Sequence, residues 1–346
     1  MLLATRIVNK IRNSVGKNKI WVSIDETSDV DGRFVANVVV GTPKHEQPGE
    51  IFLLACEVLE RVNNYSITVV SHNAMNLLWS DKVERGNVLL FVSDAAPYMI
   101  KAAKALQLLN PKMIHVTCLA RSLHRVAEEV RGSYPEVDKL IANGKKIFIK
   151  SPVRLQKFKE EAPTLPLPQQ PIVTRWGTWF DAANCYCTNY SQIEKIFIKF
   201  DRKDSSSIKS VQEFFSVTIS RNLAYIKANF CGISKSITRL ETVGTQLCDV
   251  INIVKQTESE LSRVQCEVAN KVNAKLQSVL ERNPGYSTLC KFSDILCGNE
   301  AELGGNEQGL SANDLTLFKY SPVTSCDVEM SSSSYKVLLS DNQRSF

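Results

Sequence analysis

The chain has 346 residues, 44% of them hydrophobic and 23% charged, a balance ordinary for a globular protein with a sizeable core. Its longest apolar runs, such as "NVLLFV", are too short to span a bilayer, and "MLLATRIVNKIRNSVGK" lacks the apolar stretch and small-residue cleavage site of a secretory leader. A formal net charge of +6 permits nucleic-acid binding without arguing for it.

Three strands are expected in succession, over Lys19–Ile24, Arg33–Gly41 ("RFVANVVVG") and Glu50–Leu59 ("EIFLLACEVL"). "DVDGR" carries turn chemistry between the first two, and "TPKHEQPGE" separates the second from the third. Such close spacing favours an antiparallel meander. The pattern then alternates: a helix over Tyr65–Leu78, a strand over Asn87–Ser93, a helix over Pro97–Leu109, a strand over Lys112–Thr117 and a helix over Ala120–Val130. In "PYMIKAAKALQLL" the apolar residues recur at helical spacing with lysines on the other face. Strand, helix, strand, helix implies parallel strands joined by right-handed crossovers.

From Tyr134 onward the chain reads as helical. Helices are expected over Pro135–Phe148, Pro152–Glu161, Trp176–Tyr186, Ser191–Asp201, Ser207–Asn229, Ile237–Gln256 and Glu258–Arg282, and "NPGYS" is expected to end helical order. The polar, Gly-rich "GNEAELGGNEQGLSAN" reads as a linker. A last helix is expected over Ser325–Leu339, although Ser331–Ser334 form a poor helix surface. The domain reading is therefore a core over 1–132, a helical insertion over 133–297, a flexible linker over 298–316 and a returning C-terminal segment over 317–346.

Asp25 in "KIWVSIDETSD" and Asp94 in "NVLLFVSDAAPYM" each close an apolar strand just where the chain turns polar. A carboxylate held at a strand end faces solvent from a rigid base, and two on neighbouring strands offer oxygen ligands to a hard divalent ion. Each alone is also an ordinary turn residue. The ten cysteines are scattered, with no C-x-x-C pair and only Cys185 and Cys187 close together, so reduced thiols and an intracellular location are expected. His45, His72, His115 and His124 offer no tandem Cys/His spacing, so no zinc site is expected; His115, Cys118 and His124 lie near one another without a fourth ligand. Lys145, Lys146, Lys150, Arg154, Lys157 and Lys159 form a basic stretch that reads as a solvated helix face or as a phosphate-tracking surface.

Four segments in order, "IWVSIDETSDVDGR", "VLLFVSDAAPYM", "IHVTCLARSLHRVAEEVR" and "PIVTRWGTWFDAA", together with the closing "FKYSPVTSCDVEMSSSSYKVLLSDNQRSF", resemble the hAT superfamily of DNA transposases. The likeness is to the branch containing CGG triplet repeat-binding proteins, with a DUF659-like core and a hAT C-terminal dimerisation segment. The resemblance implies an α/β fold, a ribonuclease-H-like mixed sheet interrupted by a large all-helical insertion, in which the first and fourth strands are neighbours. It implies a split triad of Asp25, Asp94 and Glu329, whose carboxylates would hold a pair of Mg2+ or Mn2+ ions about 3.5–4 Å apart for phosphodiester chemistry. It also implies nucleic-acid contacts from Arg175 and Trp176, the tryptophan stacking on an extrahelical base, and from Arg121 and His124. Trp176 and Trp179, three apart, equally suit one buried helix face.

Arg121 stands where the family motif has a histidine, and Met330 and Ser332 replace basic and aromatic residues. The family pattern would also place a BED-type zinc finger before Met1 and more chain after Phe346. These departures set the expectation: a transposon-derived nuclear protein, bound to DNA, degenerate for catalysis and with a possible role in transcription or chromatin, with homodimerisation through the C-terminal segment. No membrane partner and no small-molecule cofactor are expected. Two alternatives stay open, a Mg-dependent transposase using the carboxylate triad and a dimerising protein-interaction scaffold.

Overall fold

The computed structural model describes residues 2–29, 31–79, 84–168, 171–172, 177–304, 307 and 309–328. They fall into two compact units, Met1–Ser122 with Leu240–Ile253 and Leu280–Phe346, and Leu123–Arg239 with Val254–Val279. Among the described residues no helix is long and apolar enough to cross a membrane.

The first unit is built on a five-stranded mixed sheet in the order β3-β2-β1-β4-β5. The strands are β1 (Ile20–Ser28), β2 (Phe34–Gly41), β3 (Ile51–Leu59), β4 (Val88–Ser93) and β5 (Ile114–Thr117). β1, β2 and β3 form the expected antiparallel meander, whereas β4 runs parallel to both β1 and β5. In the first turn the Asp29 carboxylate accepts from the backbone N–H groups of Asp31 and Arg33 and from Arg33 Nε, and Gly32 supplies a φ of +77°. Trp21 stands opposite Gly41 across the β1–β2 ladder, and a Cβ at residue 41 would meet its ring at 2.3 Å.

Alternation divides the sheet's side chains between its two faces. Ile20, Val22 and Ile24 of β1 and Ala36, Val38 and Val40 of β2 join one core with Ile11 and Val15 of α1 (Leu2–Val15), Ile67, Val70 and Ala74 of α2 (Asn64–Leu78), and Met99, Ala102 and Leu106 of α3 (Pro97–Leu109). α2 starts where Asn63 and Ser66 make a reciprocal capping box, which satisfies otherwise orphaned donors. α3 starts at Pro97, whose missing N–H costs nothing in a first turn. Trp21, Ser23, Asp25, Asn37 and Val39 belong to the opposite face.

β5 is flanked by a segment that the sequence reading did not make helical. "NPGYS" does not end helical order: α14 (Tyr286–Leu296) follows it and buries Leu289 and Phe292. Asn283 explains the entry, because its side chain accepts from Thr117 N–H at 3.1 Å and donates to Thr117 C=O at 2.8 Å. Gly285 lies so close to the strand that a Cβ would meet the His115 carbonyl oxygen at 2.4 Å. Further on, Glu307, Leu310 and Asp314 are buried. Asp314, in the short helix α15 (Ala312–Thr316), pairs with Lys112 at 2.9 Å and Lys19 at 3.8 Å, the lysines that precede β5 and β1. The expected helix over Ser325–Leu339 lies outside the described residues beyond Val328.

The helix α4 (Leu119–Ser133) continues from the first unit into the second, which is helical, with α5 (Pro135–Lys146), α6 (Pro152–Glu161), α7 (Gly177–Thr188), α8 (Tyr190–Ile198), α9 (Ser206–Phe214), α10 (Val217–Asn229), most of α11 (Cys231–Leu240), and parts of α12 (Leu247–Ser262) and α13 (Glu267–Glu281). Two long expected helices are broken. Ser216 is extended and caps α10 by accepting from Ile219 N–H, which splits Ser207–Asn229. Gly244, at φ +80°, separates α11 from α12. Phe148, Phe158, Phe197 and Phe200 form one aromatic cluster, with ring centroids 5.1 to 6.4 Å apart.

The close approach at β5 gives a test of this packing. Gly285→Ala forces a methyl against the strand backbone and is expected to destabilise the protein by about 1–3 kcal/mol. The check is a lowered urea midpoint with an unchanged denaturant slope.

Candidate functional site

The register of β1 against β4 decides the site. Ser23 pairs with Val92 in the parallel ladder, so Asp25 and Asp94, each two residues further along, reach the same edge on the same side of the sheet. Asp25 is buried and Asp94 half-buried. The sequence expectation that the two aspartates lie on adjacent strands agrees with this pairing.

Asp94 is held by the entry to α3. Its Oδ1 accepts from Ala96 N–H at 2.9 Å, leaving Oδ2 turned elsewhere. Ser93, just before it, is fully buried; its hydroxyl donates to the Asp94 carbonyl at 2.8 Å and lies 3.0 Å from His115 Nε2. Burial, with Lys104 as a smaller cause, pushes the His115 pKa down to about 4, so the ring is neutral at pH 7 and serves as packing. Cys118 is buried too, and burial raises its pKa.

Arg121 joins the two carboxylates. Its Nη2 lies 2.8 Å from Asp25 Oδ2 and its Nη1 3.4 Å from Asp94 Oδ2. One guanidinium fork thus offers one nitrogen to each acid, a use of its fixed planar geometry that a point-charge ammonium cannot reproduce. The residue sits in the first turn of α4, whose start is tied down: Cys118 N–H donates to the Ser93 carbonyl at 2.8 Å, and Leu119 N–H to the Val323 carbonyl at 3.0 Å. His124 follows one turn later on α4 and is half-buried.

Beside this trio stands a pair that the sequence reading missed. Glu26 accepts a hydrogen bond from the Tyr98 hydroxyl. Burial raises the Glu26 carboxyl pKa, the Tyr98 bond opposes that, and the Asp94 charge adds to the rise. The Tyr98 hydroxyl is pushed well above its ordinary range by burial and by Glu26. Both residues lie inside the quoted segments, in "SIDETSD" and "DAAPYM". The signal was the carboxylate next to Asp25 and an aromatic hydroxyl at the second position of α3, but no spacing rule joins them.

A divalent ion pair does not fit Asp25 and Asp94 while Arg121 contacts an oxygen of each, because the guanidinium takes the space between them that a shared cation needs. Glu329, Arg175 and Trp176 lie outside the described residues. Trp179 is buried, with Nε1 donating to Asp138 at 3.1 Å. In the basic stretch, Arg154 Nε donates to the Ile147 carbonyl at 2.7 Å, and Lys157 Nζ donates to the Lys199 carbonyl at 3.2 Å. Among the described residues no group of three His, Cys, Asp or Glu could hold a metal ion.

Residues 4–147 match the family model described as "Domain of unknown function (DUF659)", a domain found in hAT-like transposase-related proteins. The match contains Asp25, Glu26, Asp94, Tyr98, Arg121 and His124. No curated protein matches the chain.

The Glu26 environment has a measurable consequence. Its folded pKa lies above the ordinary 4.5, so the folded state binds the proton more tightly, and its contribution to stability falls as pH rises from that value through the folded pKa. Glu26→Gln, which keeps a hydrogen-bonding group toward Tyr98, is expected to flatten that part of the stability profile. Urea midpoints measured across mildly acidic to neutral pH would show equal slopes in both proteins if this cause is wrong.

Proposed function

We propose that this protein is a transposon-derived, nucleic-acid-binding protein of the nucleus, built on a ribonuclease-H-like core that is degenerate for catalysis. The observation that carries the reading is the convergence of Asp25, inside β1, and Asp94, just past the end of β4, on neighbouring parallel strands in a sheet ordered β3-β2-β1-β4-β5. That convergence lies within the segment matching DUF659, which is consistent with a transposase-derived protein. The finer likeness, to the CGG triplet repeat-binding branch of the hAT superfamily, rests on the sequence segments quoted above.

The degenerate state is supported by Arg121, whose guanidinium meets both acids. A catalytic pair of carboxylates needs its oxygens free for metal; here a side chain of the same chain takes one oxygen of each. In this reading the partner is DNA, contacted through phosphates. Homodimerisation would use the C-terminal segment, and no membrane or small-molecule cofactor takes part. The same convergence of Asp25 and Asp94 also favours a second reading, a Mg-dependent DNA transposase, and one pair of measurements separates the two.

Binding to double-stranded DNA is expected to weaken by at least about tenfold between roughly 50 and 200 mM salt, as released counterions require. Supercoiled plasmid incubated with the wild type and Mg2+ or Mn2+ is expected to stay intact. Nicking that disappears in Asp94→Asn would establish the enzyme instead. Absence of salt-sensitive DNA binding would leave only the interaction scaffold.

A further inference from the structure

Arg121 has more than a passive place in this arrangement. Asp25 is only 5% exposed, and an ionised carboxylate that deep in a sheet requires a counter-charge. Asp94 cannot turn away, since its other oxygen is committed to Ala96 N–H. Glu26 stands close enough for the Asp94 charge to raise its pKa, so the edge gathers acidic groups. Among the described residues the Arg121 fork, in the first turn of α4, sets a positive charge against two of them, Asp25 and Asp94.

We propose that Arg121 is the resident cation of a latent divalent-metal site, excluding Mg2+ and Mn2+ from Asp25 and Asp94 for as long as its side chain is present. The inference rests on the reading of this edge as a former catalytic one and adds the agent of its closure. A guanidinium keeps its charge at every pH at which the carboxylates are ionised. It is tethered to the same chain, so a free ion competes against an intramolecular rival that dilution does not remove. Its side chain is about one-third exposed, at 32%, and its removal leaves the backbone anchors of α4 to Ser93 and Val323 in place. Loss of the fork therefore leaves two acids, fixed on adjacent strands, turned toward a shared space of the right sign for a hard cation.

The test is Mn2+ binding by the full chain, followed by electron paramagnetic resonance of the free ion and by the shift in unfolding temperature on adding Mn2+. Wild type is expected to bind weakly and show no shift. Arg121→Gln is expected to bind at least about tenfold tighter and to be raised in unfolding temperature by Mn2+, as ligation of the folded state requires. Adding Asp25→Asn or Asp94→Asn to Arg121→Gln should abolish both effects. Should Arg121→Gln fail to fold, Arg121→Lys, whose ammonium meets one acid at a time, is expected to fall between the two. Equal Mn2+ affinity in wild type and Arg121→Gln, lost in Asp25→Asn, would overturn the proposal, and so would an Arg121→Gln that folds and binds no Mn2+. Neither result bears on DNA binding by the wild type, whose absence would instead sink the functional reading.

Discussion

The parallel pairing of β1 with β4 is the constraint from which the rest of the first unit follows. A meander alone would leave Asp25 at the rim of an antiparallel sheet with solvent beyond it. Pairing β1 in register with β4, Ser23 beside Val92, sets the end of β4 next to Asp25 in β1. It requires the crossover through α2, and the adjacent β4–β5 pair requires α3; both helices bury their apolar sides in the core that holds Val22, Val38 and Phe91. One ladder thus fixes the hydrophobic layer on one face and the charged edge on the other.

At that edge, packing and electrostatics make different demands. The sheet wants β-branched and aromatic residues through to its last rung, and β4 supplies them, with every residue from Val88 to Ser93 buried. Asp25 breaks that pattern one residue beyond Ile24, and a charge so placed is stable only with a partner. The structure supplies the partner from helix α4, 96 residues along the chain from Asp25.

Most of the strand and helix order in the first unit was legible, because alternation and helical spacing are local signals and β2 and α3 carry them cleanly. The two aspartates were legible for the same reason, each ending an apolar run. Arg121 was visible as a departure from a motif, but its contact with both acids was not, since long-range pairing leaves no periodic trace. Glu26 and Tyr98 were hidden by the same gap. In the helical half, the stop at Ser216 and the turn at Gly244 are single residues inside otherwise continuous apolar patterns, so longer helices were expected. Asn283 and Gly285 read as breakers when taken locally; only β5 beside them shows why a turn there serves to seat α14.

The sheet carries opposite ionic triads at its two ends. Where the parallel strands begin, Asp314 is an anion paired with Lys19 and Lys112; where they finish, Arg121 is a cation paired with Asp25 and Asp94. At the starting end a single proton on Asp314, whose pKa is held low against the cost of burial by Lys112 and by the Ser311 cap, dissolves the whole triad. Acidification that reaches Asp314 therefore loosens the hold of α15 on the segments leading into β1 and β5.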